Sequence, residues 1–349
     1  MHPLQSYLQK NSKRFKTFQC MVSIPDQDLH FSFSSTTIDQ PFHSASVGKL
    51  FTTVLIMQAI EEGKITLDTP VSHHLNHEVL DDLFFVNGVN YQSQVTIQDL
   101  LSHTSGVNDY FESKTMDGSS FIDEVLHQPQ RFYTPLDLIQ FTQKKQKPVG
   151  IPKQKFHYSD TGFILLGLCC ESLYQASFNT LIQTKIVQPC GLKNTFLCFY
   201  DERFNAKNLA PLWMNGVEVS QFTSLSCDFS GGGLHTTTED LTLFLQGCVN
   251  GVLLTQDSLN QMTIFNHKFR NGLHYGLGCM QLRPKDFFFL FKKLPLMIGH
   301  LGVSGVHAWI DVESKMSIVL NVGNNQHMAK SFQVVISLLQ MMHSMSKRK

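Results

Sequence analysis

The stretch from Ser46 to Glu62 constrains this chain most. Wound at 3.6 residues per turn, its apolar residues Val47, Leu50, Phe51, Val54, Leu55, Ile56, Met57, Ala59 and Ile60 cover most of the circumference, and Gly63 stops the run. A helix so apolar must be wrapped by other elements, and 349 residues are enough to supply that wrapping. Strand-like runs at 18–24 and 29–35, parted by Pro25-Asp26-Gln27, read as a hairpin. Short helical patterns at 97–102, 136–144 and 162–173 fill the middle of the chain. After Gly231-Gly232-Gly233 come a helix at 238–246, strand-like stretches at 276–282, 287–291, 307–311 and 317–322, a turn at 311–315 and an amphipathic helix at 328–345. The pattern predicts an α+β fold: an antiparallel sheet built from both chain ends and flanked by terminal helices, with a mainly helical lobe inserted. We expect one domain over 1–349, its sheet lobe at about 1–63 and 229–349, its helical lobe at about 64–228, and a ligand cleft between them.

Charge narrows the partners. Twenty-eight Lys and Arg balance 28 Asp and Glu, which predicts no summed field drawing the protein to nucleic acid or anionic lipid. No run approaches the roughly 18 apolar residues of a membrane span, and Met1 to Arg14 lacks the apolar core of a secretory signal, so a cytoplasmic protein with no membrane partner is expected. The eight Cys show no C-x-x-C pair and read as buried free thiols. His73, His74, His77 and Glu78 offer two imidazoles at i, i+4 but no third ligand, so neither metal nor cofactor is expected. A small neutral or amphipathic molecule fits this composition best.

At the head of the apolar helix stands Ser46-Val47-Gly48-Lys49. Residues i and i+3 share a face, so the Lys49 amine can reach the Ser46 hydroxyl, while the helix start offers backbone N–H groups to a developing oxyanion. Two further S-x-x-K strings, Ser344-Met345-Ser346-Lys347 and Ser346-Lys347-Arg348-Lys349, lie in the basic tail, where nothing would shield a reaction. Tyr158-Ser159-Asp160 precedes the helical pattern at 162, and Gly299-His300-Leu301-Gly302-Val303-Ser304-Gly305 lies where a strand edge is expected; His274-Tyr275-Gly276 competes with it.

Three elements in the order S-x-x-K, Y-x-N-like and K/H-x-G resemble those of the serine β-lactamase and penicillin-binding D,D-peptidase superfamily, nearest to its class C β-lactamase, D-aminopeptidase and esterase branch. Ile65-Thr66-Leu67-Asp68-Thr69-Pro70-Val71, Leu100-Leu101-Ser102-His103-Thr104-Ser105-Gly106-Val107 and Gly232-Gly233-Leu234 through Glu239-Asp240-Leu241 are similar to further blocks of that branch, from about residue 40 to 325. The resemblance implies Ser46 as acylated nucleophile, Lys49 and Tyr158 sharing the proton transfers, the backbone N–H groups of Ser46 and Val303 as oxyanion hole, and Asp160, His300 and Gly302 on the substrate side. It makes His103 structural.

Two departures from the pattern bear on chemistry. Asp160 stands where the family has an amide; a carboxylate beside Lys49 favours the ammonium and opposes its use as a base. His300 in place of lysine removes a permanent charge that would hold a substrate carboxylate, which argues for esters or amides without one. Leu212 and Met214, with Trp213, are candidates to line an acyl pocket. Three readings stay open: an acyl-enzyme serine hydrolase acting on a small ester or amide, a β-lactamase or D-amino-acid peptidase, and an idle relative that binds a ligand in the same cleft. The state of assembly is not legible.

Overall fold

The computed structural model describes residues 3–346. The tail 347–349, expected as a solvated end, lies outside the described residues, and with it the lysines of both carboxy-terminal S-x-x-K strings. Five helices frame the site: α1 (Pro3–Ser12), α2 (Lys49–Glu61), α3 (Asp160–Tyr174), α4 (Thr238–Val249) and α5 (Met328–Ser346). The large sheet comprises β1 (Gln19–Ile24), β2 (Leu29–Ser34), β3 (His267–Arg270), β4 (Leu273–Tyr275), β5 (Met280–Leu282), β6 (Met297–Gly302), β7 (Val306–Ile310) and β8 (Ser317–Asn321). Its order is β3-β4-β5-β6-β7-β8-β1-β2, antiparallel throughout, with the two chain ends joined where Gln19 faces Asn321. The stretch 64–228 contributes no strand to it.

Side chains alternate across the strands into two cores. Val306, Ala308, Ile310 and Val319 pack toward α2 and α4 with Phe51, Val54 and Phe244. Trp309, Ile318 and Leu320 pack toward α1 and α5 with Leu4, Leu8, Val334 and Leu338. Helices on both faces explain why β6, β7 and β8 are buried along their whole length.

The apolar helix begins later than its pattern suggests. Ala45–Gly48 forms a 3-10 turn and α2 starts at Lys49. The glycine run explains the tight winding, because a Cβ on Gly48 would lie 2.8 Å from the Cα of Gly232. Two expected strands also change. Of 276–282 only Met280–Leu282 is extended; Gly276 to Cys279 is a turn that needs Gly278 at φ +62°. The stretch 287–291 is no strand: Pro284 opens a helical turn to Phe287, and Phe289–Lys293 is a 3-10 helix. Five consecutive apolar residues lack the alternation of a half-buried strand, so their β propensity misleads.

Candidate active site

Ser46 sits on the 3-10 turn that leads into α2, and the turn is clamped from three sides. Short strands Phe42–His43 and Leu234–Thr236 pair just before it, with His43 opposite His235. The Ser44 hydroxyl donates to Gly232 O at 2.7 Å, and the Ala45 N–H donates to Nδ1 of His43 at 3.1 Å. Ala45 itself is left-handed at φ 47°, a conformation costing an L-residue of order 1 kcal/mol and held only by such surroundings.

Lys49 follows one turn later with no exposed surface. Its Nζ donates to Ser46 Oγ at 3.2 Å, to Gly231 O at 2.7 Å and to Asp160 Oδ1 in a buried ion pair. Those contacts use all three N–H bonds of an ammonium, so the group acts here as a donor toward the serine. The Tyr158 ring centroid lies 5.1 Å from Lys49 Nζ. Burial pushes its phenol well above its ordinary range and the Asp160 charge pushes the same way, while the nearby Ser46 side chain draws it down. The structure therefore brings Ser46, Lys49, Tyr158 and Asp160 into one cluster.

The loop carrying Tyr158 is fixed by His103, as a structural reading of that histidine requires. Its Nδ1 accepts the Ser159 N–H at 3.1 Å, its carbonyl accepts the His157 N–H at 2.8 Å, and its ring lies 4.3 Å from that of Tyr158. The Ser159 hydroxyl then accepts from the Gly162 N–H and caps α3, which starts at Asp160.

Gly302 closes the other wall. A Cβ there would lie 2.7 Å from the Ala45 Cβ, 3.1 Å from Ser44 O and 3.4 Å from Ser46 N, so only glycine lets β6 approach the serine turn this closely. Val303 follows immediately, which sets the two backbone units expected to hold an oxyanion side by side. Because β5 pairs with β6 only as far as Gly299, residues 300–302 are bonded on the β7 side alone and leave an open strand edge.

His300 lies on this edge, with its ring wholly buried. Its Nε2 lies 3.2 Å from the Tyr275 hydroxyl and its Nδ1 2.8 Å from Leu301 O. Burial, then the neighbouring Lys49 charge, pushes it down to about 3, so it is neutral at pH 7. The competing string thus contributes through its tyrosine: Tyr275 covers His300, while His274 turns to Asp286 at 3.3 Å.

Residues that the motifs did not single out make the site acidic. Asp109 accepts the N–H of Asp160 at 2.9 Å and of Glu112 at 2.8 Å. Burial and the Asp160 charge push its carboxyl up to about 7. Asp228, 3.5 Å from His43 Nε2, is raised to about 7 by the same two causes. The only clue in the chain was position, since Asp109 stands just beyond the Leu100–Val107 block. Beside Ala45 and Val303 lies a cavity of ≈ 30 Å³ lined by Phe111, Leu126, Leu212, Met214 and Leu225. Trp213 is absent from that lining and lies instead under Lys16, whose Nζ is 3.3 Å from the ring centroid.

An alcohol, an amine and a phenol gathered between an antiparallel sheet and a buried helix are the mark of the β-lactamase and D,D-peptidase class. The chain belongs to the Beta-lactamase family, whose model matches residues 30–334. Its fold is similar to that of D-amino acid amidase from Ochrobactrum anthropi SV3, at a TM-score of 0.80 and 19% identity over 99% of this chain and 98% of that one. It is also similar to a penicillin-binding protein from Bacillus halodurans (TM-score 0.75, 22% identity, 96% and 99% covered). A third solved neighbour is EstCE1, described as a hydrolase with promiscuous acyltransferase activity (TM-score 0.73, 19% identity, 95% and 98% covered).

Proposed function

We propose that this protein is a serine hydrolase that works through an acyl-enzyme at Ser46 on small carboxylic esters or amides. The observation that carries this reading is the contact of Ser46 with Lys49 Nζ at 3.2 Å, beside the Tyr158 phenol. Ser46 Oγ attacks the carbonyl carbon, and the oxyanion takes the backbone N–H groups of Ser46 and Val303. Tyr158 relays: its oxygen receives the serine proton while its own proton passes to the leaving group, so no free phenolate forms, in keeping with a phenol pushed upward. Lys49 remains an ammonium that steadies the developing charge. Water then attacks the acyl group, its proton goes to Tyr158, and the tyrosine proton returns to Ser46.

The lining argues for the substrate class. A neutral His300 offers no cation to a carboxylate, and the Asp109 and Asp228 carboxyls, raised to about 7, carry a partial negative charge that disfavours one. Neutral esters and amides, including those bearing an amine, fit better than a β-lactam or a D-Ala-D-Ala peptide. A cavity of ≈ 30 Å³ has room for about two waters, which suits a short acyl group.

Purified protein is treated with a fluorophosphonate, weighed intact and assayed on p-nitrophenyl acetate, an amino-acid amide, a chromogenic cephalosporin and a D-Ala-D-Ala peptide. The reading expects one adduct that Ser46→Ala abolishes, and turnover of the first two substrates above the last two. No adduct would leave the idle relative as the better account, and preferred turnover of the cephalosporin or the peptide would return the substrate to the carboxylate class.

A further inference from the structure

Residues 283–293, Arg-Pro-Lys-Asp-Phe-Phe-Phe-Leu-Phe-Lys-Lys, join β5 to β6 at the end of that hairpin away from Ser46. The segment is anchored from within. Phe287 packs against Phe332 of α5, and Phe291 and Leu294 pack on the core that α5 shares with the sheet. The Asn271 side chain donates to Asp286 O at 3.0 Å and ties the segment to the β3–β4 turn. Three side chains point outward at the start of the 3-10 turn: Phe288, Phe289 and Leu290 are 46%, 69% and 62% exposed, with Phe287 and Leu296 partly exposed beside them.

Cations flank these three side chains along the segment. Lys285, Lys292 and Lys293 are exposed, Arg283 is half-buried, and the segment's one acid, Asp286, is engaged by His274. The balance of charges over the whole chain hides this local concentration. Large apolar side chains flanked by cations suit a surface that is oily beneath an anionic layer. A protein partner suits them less. At 150–250 Å² for a fully covered aromatic, three partly exposed side chains fall short of the roughly 800 Å² per partner that a stable protein interface needs.

We propose that this turn is a peripheral docking site for a lipid bilayer bearing anionic headgroups, with Phe288, Phe289 and Leu290 entering the acyl boundary and the lysines resting on phosphate. The site lies outside the Ser46 cluster and does not depend on the hydrolase reading.

The test is co-sedimentation of the full chain with vesicles of phosphatidylcholine alone and of phosphatidylcholine mixed with phosphatidylserine. Binding is expected to the mixed vesicles and to weaken as salt is raised. The triple variant F288S/F289S/L290S and the double variant K292E/K293E should each lose about tenfold or more in partition. These positions are exposed, so both variants should keep parent levels of p-nitrophenyl acetate hydrolysis, fluorophosphonate labelling and thermal melting. Failure to sediment with mixed vesicles, or parent-like binding by the triple variant, overturns the proposal. A dimer in sedimentation velocity that the triple variant abolishes would overturn it too, by giving the turn to a second copy of the chain.

Discussion

Replacing Asp160 by Asn isolates the electrostatics of the site. Lys49 is wholly buried, and its three acceptors are Ser46 Oγ, Gly231 O and the Asp160 carboxylate. Asn keeps an acceptor oxygen but withdraws the charge, leaving an ammonium without a counter-ion. Removing one partner of a buried pair costs about 3–5 kcal/mol. The variant has an escape, because the amine can shed its proton; at pH 7 that costs about 4.6 kcal/mol for a lysine titrating near 10.4 in the unfolded chain. The loss should therefore fall at about 3–4.5 kcal/mol, or about 4–6 °C in Tm at roughly 1.4 °C per kcal/mol for a chain of this length. Lys49→Met strands the carboxylate and should cost a similar amount. The double variant K49M/D160N holds neither charge, and its loss should fall short of the sum by about 2–3 kcal/mol.

Urea unfolding followed by tryptophan fluorescence suits this cycle, since Trp309 is fully buried. Hydrolysis of p-nitrophenyl acetate by D160N should be kept or raised, with the acidic limb displaced to lower pH, because Asp109 loses the neighbouring charge that helps hold its carboxyl up. Single effects that add within about 0.5 kcal/mol would refute the coupling. Abolished activity on an unchanged pH profile would refute the chemistry assigned to Asp160.

Three other perturbations probe separate parts of the argument. Gly302→Ala puts a methyl 2.7 Å from the Ala45 Cβ and should lower kcat about 10²-fold with about 1–3 kcal/mol of destabilisation, whereas parent-like turnover would deny that β6 shapes the oxyanion site. Met214→Ala enlarges the cavity beside Val303 and should raise the hexanoate-to-acetate ratio of kcat/KM about tenfold; an unmoved ratio would locate the acyl group elsewhere. His307 accepts the Trp309 indole N–H on Nδ1 at 3.1 Å and faces the Ser331 hydroxyl with Nε2 at 2.8 Å, and burial pushes it down to about 3. Its contribution is present above about pH 6.5 and is lost as pH falls toward 3, by about 3 kcal/mol at pH 4.5. His307→Gln should flatten the acid side of the urea midpoint by about that amount, and an unchanged slope would mean that the imidazole is already charged in the folded state.

Local chemistry carries its own signature in the sequence, and long-range packing does not. Ser46 and Lys49 were legible because a shared helical face needs only a spacing of three, and α2 was legible because its apolar residues surround it. Tyr158 and His300 were reached through motif order, since no periodicity links residues so far apart in the chain. Asp109 was missed because its role depends on two N–H groups presented by folded loops. Tyr275 lies in a string that Cys279, standing where the other copy has Gly305, sets aside, and the covering of His300 becomes visible only when β4 and β6 share a sheet. The stretch 287–291 was misread because aromatic residues favour strands on average, while Pro284 and the lack of alternation decide locally.

The pairing of Gln19 with Asn321 and the closure of Gly302 over Ser44 and Ala45 also order events during synthesis. The Ser46 turn is synthesised long before its walls, which arrive with the glycines at 231–232 and with β6. A nascent chain accordingly lacks the walls around Ser46 until β6, β7 and β8 are free to form the sheet. Loss of β1 or of β8 would open the sheet beneath Gly302 before it removed a single residue of the cleft.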